Sequence, residues 1–551
     1  MPTVTVNLSD LMNLIGKKIP DPELQTVLPL IKLEVEEWGR EDIKLEATPD
    51  RPDLFSIEGI ARQIKAWLGL ETGLPAFPVS EPTITMDSTN IKLRPFIVCA
   101  AVRGVKITDD FVRSIMQSQE LLDLTIGRDR RKAATGIYDL SKLTPPFHYK
   151  EVLPESTAFT PLDTDEKMNL AQILKKHPKG IKYAHLVSHA AKYPLIVDET
   201  NQVLSFPPII NCDSSRVTEK TKDLFIEITG TDRSAVNNIL NILVTSLAAR
   251  GGKIESVKVN RSLTPNLRPR KISVRIEDIK SLLGLNLKTS EIKALLERMN
   301  YSVEHRKENI DVYIPPFRAD ILHHVDVIED VAIAYGYNDF TPQVPKLPSV
   351  GKPDDFEEFS NRVRELLIGL NFQEVMNYTL TSTEKNFRMM NIETSPVVEI
   401  ENPVSCEYSI CRSWLLPGLM KNLSLNKHRR YPQRIFELAD CVLLNPKSET
   451  GADNKKKLAG IISHSKANLT EIISVLDAIR ESLGIKWRID NHNHKSFIPG
   501  RCGKILLNNR VIGLFGEMHP KVLVNFELKR LAVGFELDIE AVYKILGSRY
   551  K

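Results

Sequence analysis

The sequence predicts a multidomain α+β protein, and three observations carry that prediction. Its 551 residues exceed what one hydrophobic core organises and imply about three to five domains. Segments of period-two alternation are interspersed with segments of helical spacing along the whole chain. Proline-punctuated stretches at 75–82, 260–271 and 342–353 mark candidate linkers between them. Hydrophobic content of 42% and charged content of 26% are those of a water-soluble globular protein. A net charge of +4 excludes a whole-molecule basic field, so any RNA contact has to be a local patch. The six cysteines form no CxxC pair, which argues against structural zinc and fits a reducing cytosol. No signal sequence and no apolar run of membrane-spanning length is present, so a cytoplasmic protein without membrane contact is expected.

Taken in order, Thr3 to Val6, Lys32 to Glu36 and Asp42 to Ala47 alternate like strands, with Ser9 or Asp10 placed to cap a short helix. Thr48-Pro49-Asp50-Arg51-Pro52-Asp53 reads as a proline-fixed turn. It feeds a helix capped by Ser56, whose apolar residues from Ile57 to Leu68 keep helical spacing until Gly69. This gives an α/β module over 1–78. Beyond the linker, Ile91 to Leu93 and Ile97 to Ile107 are strand-like, and Asp109 to about Leu124 is amphipathic. The run Arg128-Asp129-Arg130-Arg131-Lys132 is either solvated surface or a local RNA contact.

In 90–262 the informative stretch runs from Pro207-Pro208-Ile209-Ile210-Asn211-Cys212 to Gly230-Thr231-Asp232. Alternation over 224–229 predicts a strand with Phe225, Glu227 and Thr229 on one side, and a turn into a helix that Asp232 caps. A carboxylate so placed is either surface decoration or part of a site.

A compact α+β unit is expected over 270–340. It has a helix from Thr289 to Met299, strands from Tyr301 to His305 and Ile310 to Ile314, and a helix capped by Asp320 and closed by Gly336. That last helix carries apolar Ile321, Val325, Ile328, Ala332 and Tyr335 on one face. Asp326, Glu329 and Asp330 stand off it at i, i+3 and i+4, so spacing makes them neighbours. They form either a solvated acidic face or an oxygen-only set of the kind that suits Mg²⁺. The remaining 354–551 suffices for one more α/β domain, opening on a helix stripe from Phe356 to Leu370 and with Val397 to Glu401 as a strand. His492-x-His494 lacks carboxylate or cysteine partners at ligand spacing, and no P-loop, GxSxG or GxGxxG occurs.

Several of these stretches also carry a resemblance. Asp50-Arg51-Pro52-Asp53 with Ser56-Ile57-Glu58-Gly59-Ile60-Ala61-Arg62, then Phe317-Arg318-Ala319-Asp320-Ile321, Asp326-Val327-Ile328-Glu329-Asp330-Val331 and Tyr335-Gly336-Tyr337, come first. Arg412-Ser413-Trp414-Leu415-Leu416-Pro417-Gly418-Leu419, Phe436-Glu437-Leu438 and Gly513-Leu514-Phe515-Gly516-Glu517-Met518-His519-Pro520 follow in order. Together they resemble the phenylalanyl-tRNA synthetase β-subunit family, of the archaeal and eukaryotic-cytosolic type. The resemblance implies a proofreading domain over 90–262, a winged-helix-like module over 270–340, and over 354–551 a catalytically inactive class II synthetase-like antiparallel sheet flanked by helices. It assigns Asn211, Cys212, Glu227, Thr229, Thr231 and Asp232 to the editing pocket, with Cys212 standing where relatives commonly have Ser. It assigns Asp320, Asp326, Glu329 and Asp330 to Mg²⁺.

A class II site needs an arginine on a sheet strand for the ATP α-phosphate and a second after a glycine-rich strand. Here the first reads Arg434-Ile435-Phe436-Glu437, out of order, and 531–546 contains no arginine. ATP chemistry is therefore expected on a partner. The family implies an α subunit in an (αβ)₂ tetramer that uses ATP and Mg²⁺ to charge tRNA-Phe, while this chain contacts tRNA and hydrolyses mischarged Tyr-tRNA-Phe. A free-standing editing hydrolase and a non-enzymatic tRNA-binding scaffold are the alternatives.

Overall fold

The computed structural model describes residues 2–89, 91–346 and 348–546, and the chain divides into two compact units, Met1–Gln343 and Val344–Lys551. In the first, Thr3–Asn7 and Leu33–Trp38 flank Asp42–Ala47 in an antiparallel sheet. Alternation drives it: Val4, Val6, Ile43 and Leu45 are buried, while Thr5, Asp42 and Lys44 face water. Asn7, not Ser9 or Asp10, caps the helix Leu8–Ile15. Ser56 caps Ile57–Trp67 as expected, accepting from the Gly59 N–H.

A ten-stranded sheet forms the centre of this unit. Within it, Leu224–Gly230 lies between Phe96–Arg103 and Ala133–Asp139, antiparallel to both. Leu224, Ile226 and Ile228 join Val236, Ile239 and Leu243 of the helix Arg233–Ala249 in one apolar cluster. Phe225, Glu227 and Thr229 therefore share the opposite face, where Phe225 packs on Phe147 and Tyr138. Two expected linkers are partly built into this sheet. Val79–Ser88 is a strand that buries Ile84 and Met86, so 75–82 is irregular only up to Pro78. Ser262–Thr264 pairs with Lys253–Val259, which removes part of 260–271. Ile91 to Leu93 is not a strand, because the Lys92 N–H bonds to the Glu151 side chain instead of a neighbouring backbone.

Arg270–Arg275 and Ser302–Arg306 flank Asn309–Ile314 in a second antiparallel sheet, packed by Ile276–Leu283, Thr289–Glu297 and His324–Tyr335. The acidic helix starts at His324 with His323 as its cap. Asp320 does not cap it, because Arg318 draws that carboxylate away. The buried face also differs from the expected stripe. Val325 is exposed, and Val327, Val331 and Ala334 are buried beside Ile328 and Ala332, because neighbours cover the helix on more than one side.

The second unit is built on a seven-stranded sheet. Its order is Gln373–Glu374, Gln433–Leu444, Ala452–His464, Leu531–Asp538, Arg510–Met518, Phe497–Leu507 and Arg488–Asn491, antiparallel except for the first pair. Helices Asp355–Gly369, Leu469–Ser482 and Ile539–Leu546 bury Val363, Leu476 and Val542 with Phe436 and Phe535. Leu416–Leu425 packs Leu419 and Leu423 with Ile461 and Met518 on the alternate strand positions. Val397 to Glu401, expected as a strand, makes one isolated bridge, Glu399 to Ile410.

Candidate functional site

Glu227 sits mid-strand, opposite Cys99 on one neighbour and Gly136 on the other, and is 2% exposed. The Tyr138 hydroxyl donates to its Oε1 at 2.9 Å and the Ser205 hydroxyl to the same oxygen at 3.5 Å. Oε2 is buried and has no partner among the described residues. Gly136 makes this arrangement possible: a Cβ there would stand 2.4 Å from Glu227 Oε1 and 2.1 Å from the Tyr138 hydroxyl. Burial pushes the Glu227 carboxyl up to about 7, with Tyr138 and Arg94 opposing and Asp123 reinforcing the shift. Burial and the Glu227 charge push the Tyr138 phenol well above its ordinary range, so it remains a donor.

Glu227 lines a cavity of about 220 Å³ together with Thr229, Asn211, Cys212, Tyr138 and Ser205. Asn211 Oδ1 is 3.4 Å from the Tyr138 hydroxyl, and Thr229 Oγ1 is buried without a partner among the described residues. Cys212 Sγ lies 3.2 Å from Ser214 Oγ. The cavity thus gathers four of the six editing candidates. Thr231 and Asp232 lie outside its lining, because the chain turns after Gly230 to enter the helix. The Thr231 hydroxyl donates to Arg131 O at 3.0 Å. Asp232 accepts from the Ser234 and Ala235 N–H groups and pairs with Lys132 at 2.8 Å, which first of all holds its carboxyl below the usual range.

Sequence reasoning missed Tyr138 and Ser205, although period-two alternation from Gly136 to Tyr138 was available to place the first. Arg130, read from the sequence only as part of a basic run at the surface or on RNA, has a different place. That side chain donates to the carbonyls of Pro208 and Ile209 at 3.0 Å each and stacks 4.5 Å over Tyr183, so it braces the cavity wall. Arg130 Nε lies 3.5 Å from Asp123, a carboxyl that burial pushes up to about 7.

The four acidic candidates do not converge. Arg318, 2% exposed, clasps Asp320 through Nε and Nη2 at 2.8 and 2.6 Å, and its Nη2 also reaches Asp330 at 2.7 Å. Tyr301 donates to the same Asp330 oxygen at 2.5 Å. Burial pushes Asp320 up, but Arg318 outweighs it and holds the carboxyl at about 2. Glu329 pairs with Lys32 at 2.9 Å, and Asp326 accepts the Leu322 and His323 N–H groups at 2.7 Å. Each carboxylate is already satisfied by the chain, so as arranged these residues do not fit one Mg²⁺ donor set. Among the described residues no group of three or more His, Cys, Asp or Glu is placed to hold a metal. The same device recurs at Arg51, fully buried, which clasps Asp53 at 2.9 and 2.8 Å.

In the second unit, Glu437, Lys457 and Glu536 share the sheet face beneath Leu416–Leu425. Arg412 binds Glu437 at 2.6 Å and Lys457 binds Glu536 at 2.9 Å, while Glu536 Oε2 accepts the Leu415 and Leu416 N–H groups. Buried Arg412 and partly exposed Lys457 are committed to carboxylates of the same sheet. Arg434 stands apart, 3.7 Å from Glu471.

Residues 341–539 match the family described as phenylalanyl tRNA synthetase beta chain CLM domain, 272–337 the tRNA synthetase B5 domain and 116–246 the B3/4 domain. The phenylalanine–tRNA ligase beta subunit of Methanocaldococcus jannaschii is 42% identical over 549 residues, covering 98% of this chain and 100% of that protein. That of Pyrococcus furiosus is 43% identical, covering 99% and 100%. The crystal structure of an N-terminal fragment of the phenylalanyl-tRNA synthetase beta subunit from Pyrococcus horikoshii superposes with a TM-score of 0.59 at 41% identity, covering 61% of this chain and all of the fragment. With relatives this similar from end to end, and with their B3/4, B5 and CLM domains in order, the chain belongs to the phenylalanine–tRNA ligase β-subunit family.

Proposed function

We propose that this chain acts in the cytoplasm as the β subunit of a phenylalanine–tRNA ligase and hydrolyses Tyr-tRNA-Phe in the Glu227 cavity. A synthetic pocket built for Phe rejects one added hydroxyl by only ~10², whereas translation needs about 10⁴ or better, so a second site that prefers the hydroxyl is required. Glu227 Oε2, buried and without a partner among the described residues, is the observation that carries the reading. A phenol donating to it satisfies a group otherwise left unpaired, and a phenylalanine ring does not. Asn211 and Thr229 orient the ester and a water. Water adds to the ester carbonyl, the carbon–oxygen bond breaks, and the ribose oxygen leaves with a proton to give tyrosine and free tRNA-Phe. With no Ser-His or Cys-His pair lining the cavity among the described residues, no covalent intermediate is invoked, and the tRNA's own hydroxyl assists the water.

The α subunit uses ATP and Mg²⁺ to make the adenylate, and two copies of each chain assemble as (αβ)₂. On this reading the second unit is a class II relic kept as an interface, and 270–340 is a winged-helix-like support. Met376, Tyr378 and Val404 of the second unit, 93%, 77% and 106% exposed, support the interface. Met376→Glu is expected to weaken association with α in size-exclusion chromatography without lowering the melting temperature of the chain. The decisive experiment is deacylation by the αβ complex carrying Glu227→Gln or Glu227→Ala. Clearance of Tyr-tRNA-Phe is expected to fall about 10- to 100-fold while Phe-tRNA-Phe synthesis persists. Clearance at the wild-type rate in both variants would place editing elsewhere.

A further inference from the structure

A second cavity of the first unit, of about 630 Å³, shares no lining residue with the Glu227 cavity. It is lined by the helix Ile57–Trp67, the irregular stretch 71–78 and the C-terminal end of the helix Arg233–Ala249. That volume is in the range of a small-molecule site. Much of the wall is apolar, with Ala61, Pro75, Phe77 and Ala248 among its residues. Arg62 stands in this wall without a carboxylate. Its Nη1 donates to Thr245 O at 3.3 Å, and its guanidinium carbon lies 3.9 Å from the Phe317 ring centroid. Nη2 is buried and has no partner among the described residues.

Other arginines of the unit are neutralised: Arg51 clasps Asp53, Arg250 clasps Asp10 and Glu58, and Arg318 clasps Asp320 and Asp330. Arg62 makes no ion pair among the described residues. The carboxylates at the lining are committed to other cations, Glu58 to Arg250 at 2.6 Å and Glu71 to Lys65 at 2.8 Å. Lys253, exposed at the same lining, makes no ion pair among the described residues. Burial draws the Arg62 pKa down to about 10, against the nearby charges of Asp53 and Glu58. We propose that this cavity binds a small organic oxyanion, a carboxylate or phosphate carried on a ring-sized apolar body. Arg62 Nη2 and Lys253 hold the oxyanion, while Phe77, Ala61 and Pro75 receive the body. A buried N–H without an acceptor is unfavourable, and a bound oxygen removes that cost.

The test is calorimetric titration of the αβ complex with phenyl phosphate, benzoate, inorganic phosphate and benzamide. Wild type, Arg62→Met and Lys253→Ala are compared. Phenyl phosphate or benzoate is expected to give a saturable heat in wild type, and the tighter of the two names the head group. Inorganic phosphate, lacking the ring, is expected to bind about tenfold more weakly, and neutral benzamide to give no heat that Arg62→Met removes. Arg62→Met is expected to raise Kd about tenfold or more, and Lys253→Ala to raise it less, by a factor that shrinks at high salt. Without ligand, Arg62→Met is expected to melt no lower than wild type, because it removes a buried charge that has no ion pair. The same titration of Glu227→Gln is expected to match wild type. Absence of saturable heat with both ring-bearing anions, or equal affinity in all three proteins, would overturn the site. Arg62→Met melting well below wild type while Lys253→Ala keeps full affinity would make Arg62 a structural brace instead. Displacement of phenyl phosphate by tRNA-Phe would give these cations to the nucleic acid and overturn the small-molecule assignment.

Discussion

The Tyr138 hydroxyl donates to Glu227 Oε1 at 2.9 Å, so one carboxylate oxygen is committed, while the other, Oε2, has no partner among the described residues. This bond also lowers the Glu227 pKa against the stronger effect of burial. Tyr138→Phe is expected to move the carboxyl further up from about 7 and to free its orientation. The pH profile of Tyr-tRNA-Phe deacylation then shifts its midpoint upward, and the preference for Tyr over Phe drops roughly tenfold. An unmoved midpoint would show that Tyr138 does not govern Glu227.

Stability should carry the same signature. A carboxyl raised from 4.5 to about 7 holds more protons folded than unfolded between those values. Its contribution therefore falls as pH rises through that window and is level above it. Asp123, raised by burial from 3.8 to about 7, acts in the same direction. Between pH 4.5 and 7 the melting temperature of the wild type, relative to Glu227→Gln, is expected to decline. Parallel curves for the two proteins would contradict a buried, neutral Glu227.

Asp232→Ala should separate structure from chemistry. The variant loses a helix cap to Ser234 and Ala235 and an exposed ion pair to Lys132, at a cost of about 1 kcal/mol. Because Asp232 is not in the cavity lining, deacylation is expected to stay within about twofold of wild type at a temperature where both are folded. A large kinetic loss without a melting shift would return Asp232 to the site.

Arg318 is expected to dominate the acidic cluster. Arg318→Met strands Asp320 and Asp330 as buried carboxylates and should cost about 3–5 kcal/mol, whereas Glu329→Gln, at a half-exposed side chain whose partner Lys32 stays paired with Asp50, should cost no more than about 1 kcal/mol. Calorimetric titration of wild type with Mg²⁺ is expected to give no saturable heat that Asp326→Asn or Glu329→Gln removes. Such a heat, lost in either variant, would mean that the carboxylates regroup around the ion.

Local rules of the sequence settled a good part of this chain. Alternation over 224–229 put Phe225, Glu227 and Thr229 on one face, and Ser56 and Asp232 cap the helices they precede, because strand period and caps depend on neighbours a few residues away. The family patterns were legible too. What sequence spacing did not contain was the company each charge keeps. Asp326, Glu329 and Asp330 are neighbours by helical count, yet Leu322 and His323, Lys32 and Arg318 pull them in separate directions. Thr231 and Asp232 adjoin the pocket strand in sequence but leave the pocket at a single turn. Tyr138 and Ser205, 89 and 22 residues from Glu227, meet it only because the sheet sets their strands on the same face. A buried charge is stable only beside partners that neutralise it, and those come from wherever the fold happens to bring the chain back, so the tertiary structure alone decided which carboxylate oxygen is left without a partner among the described residues.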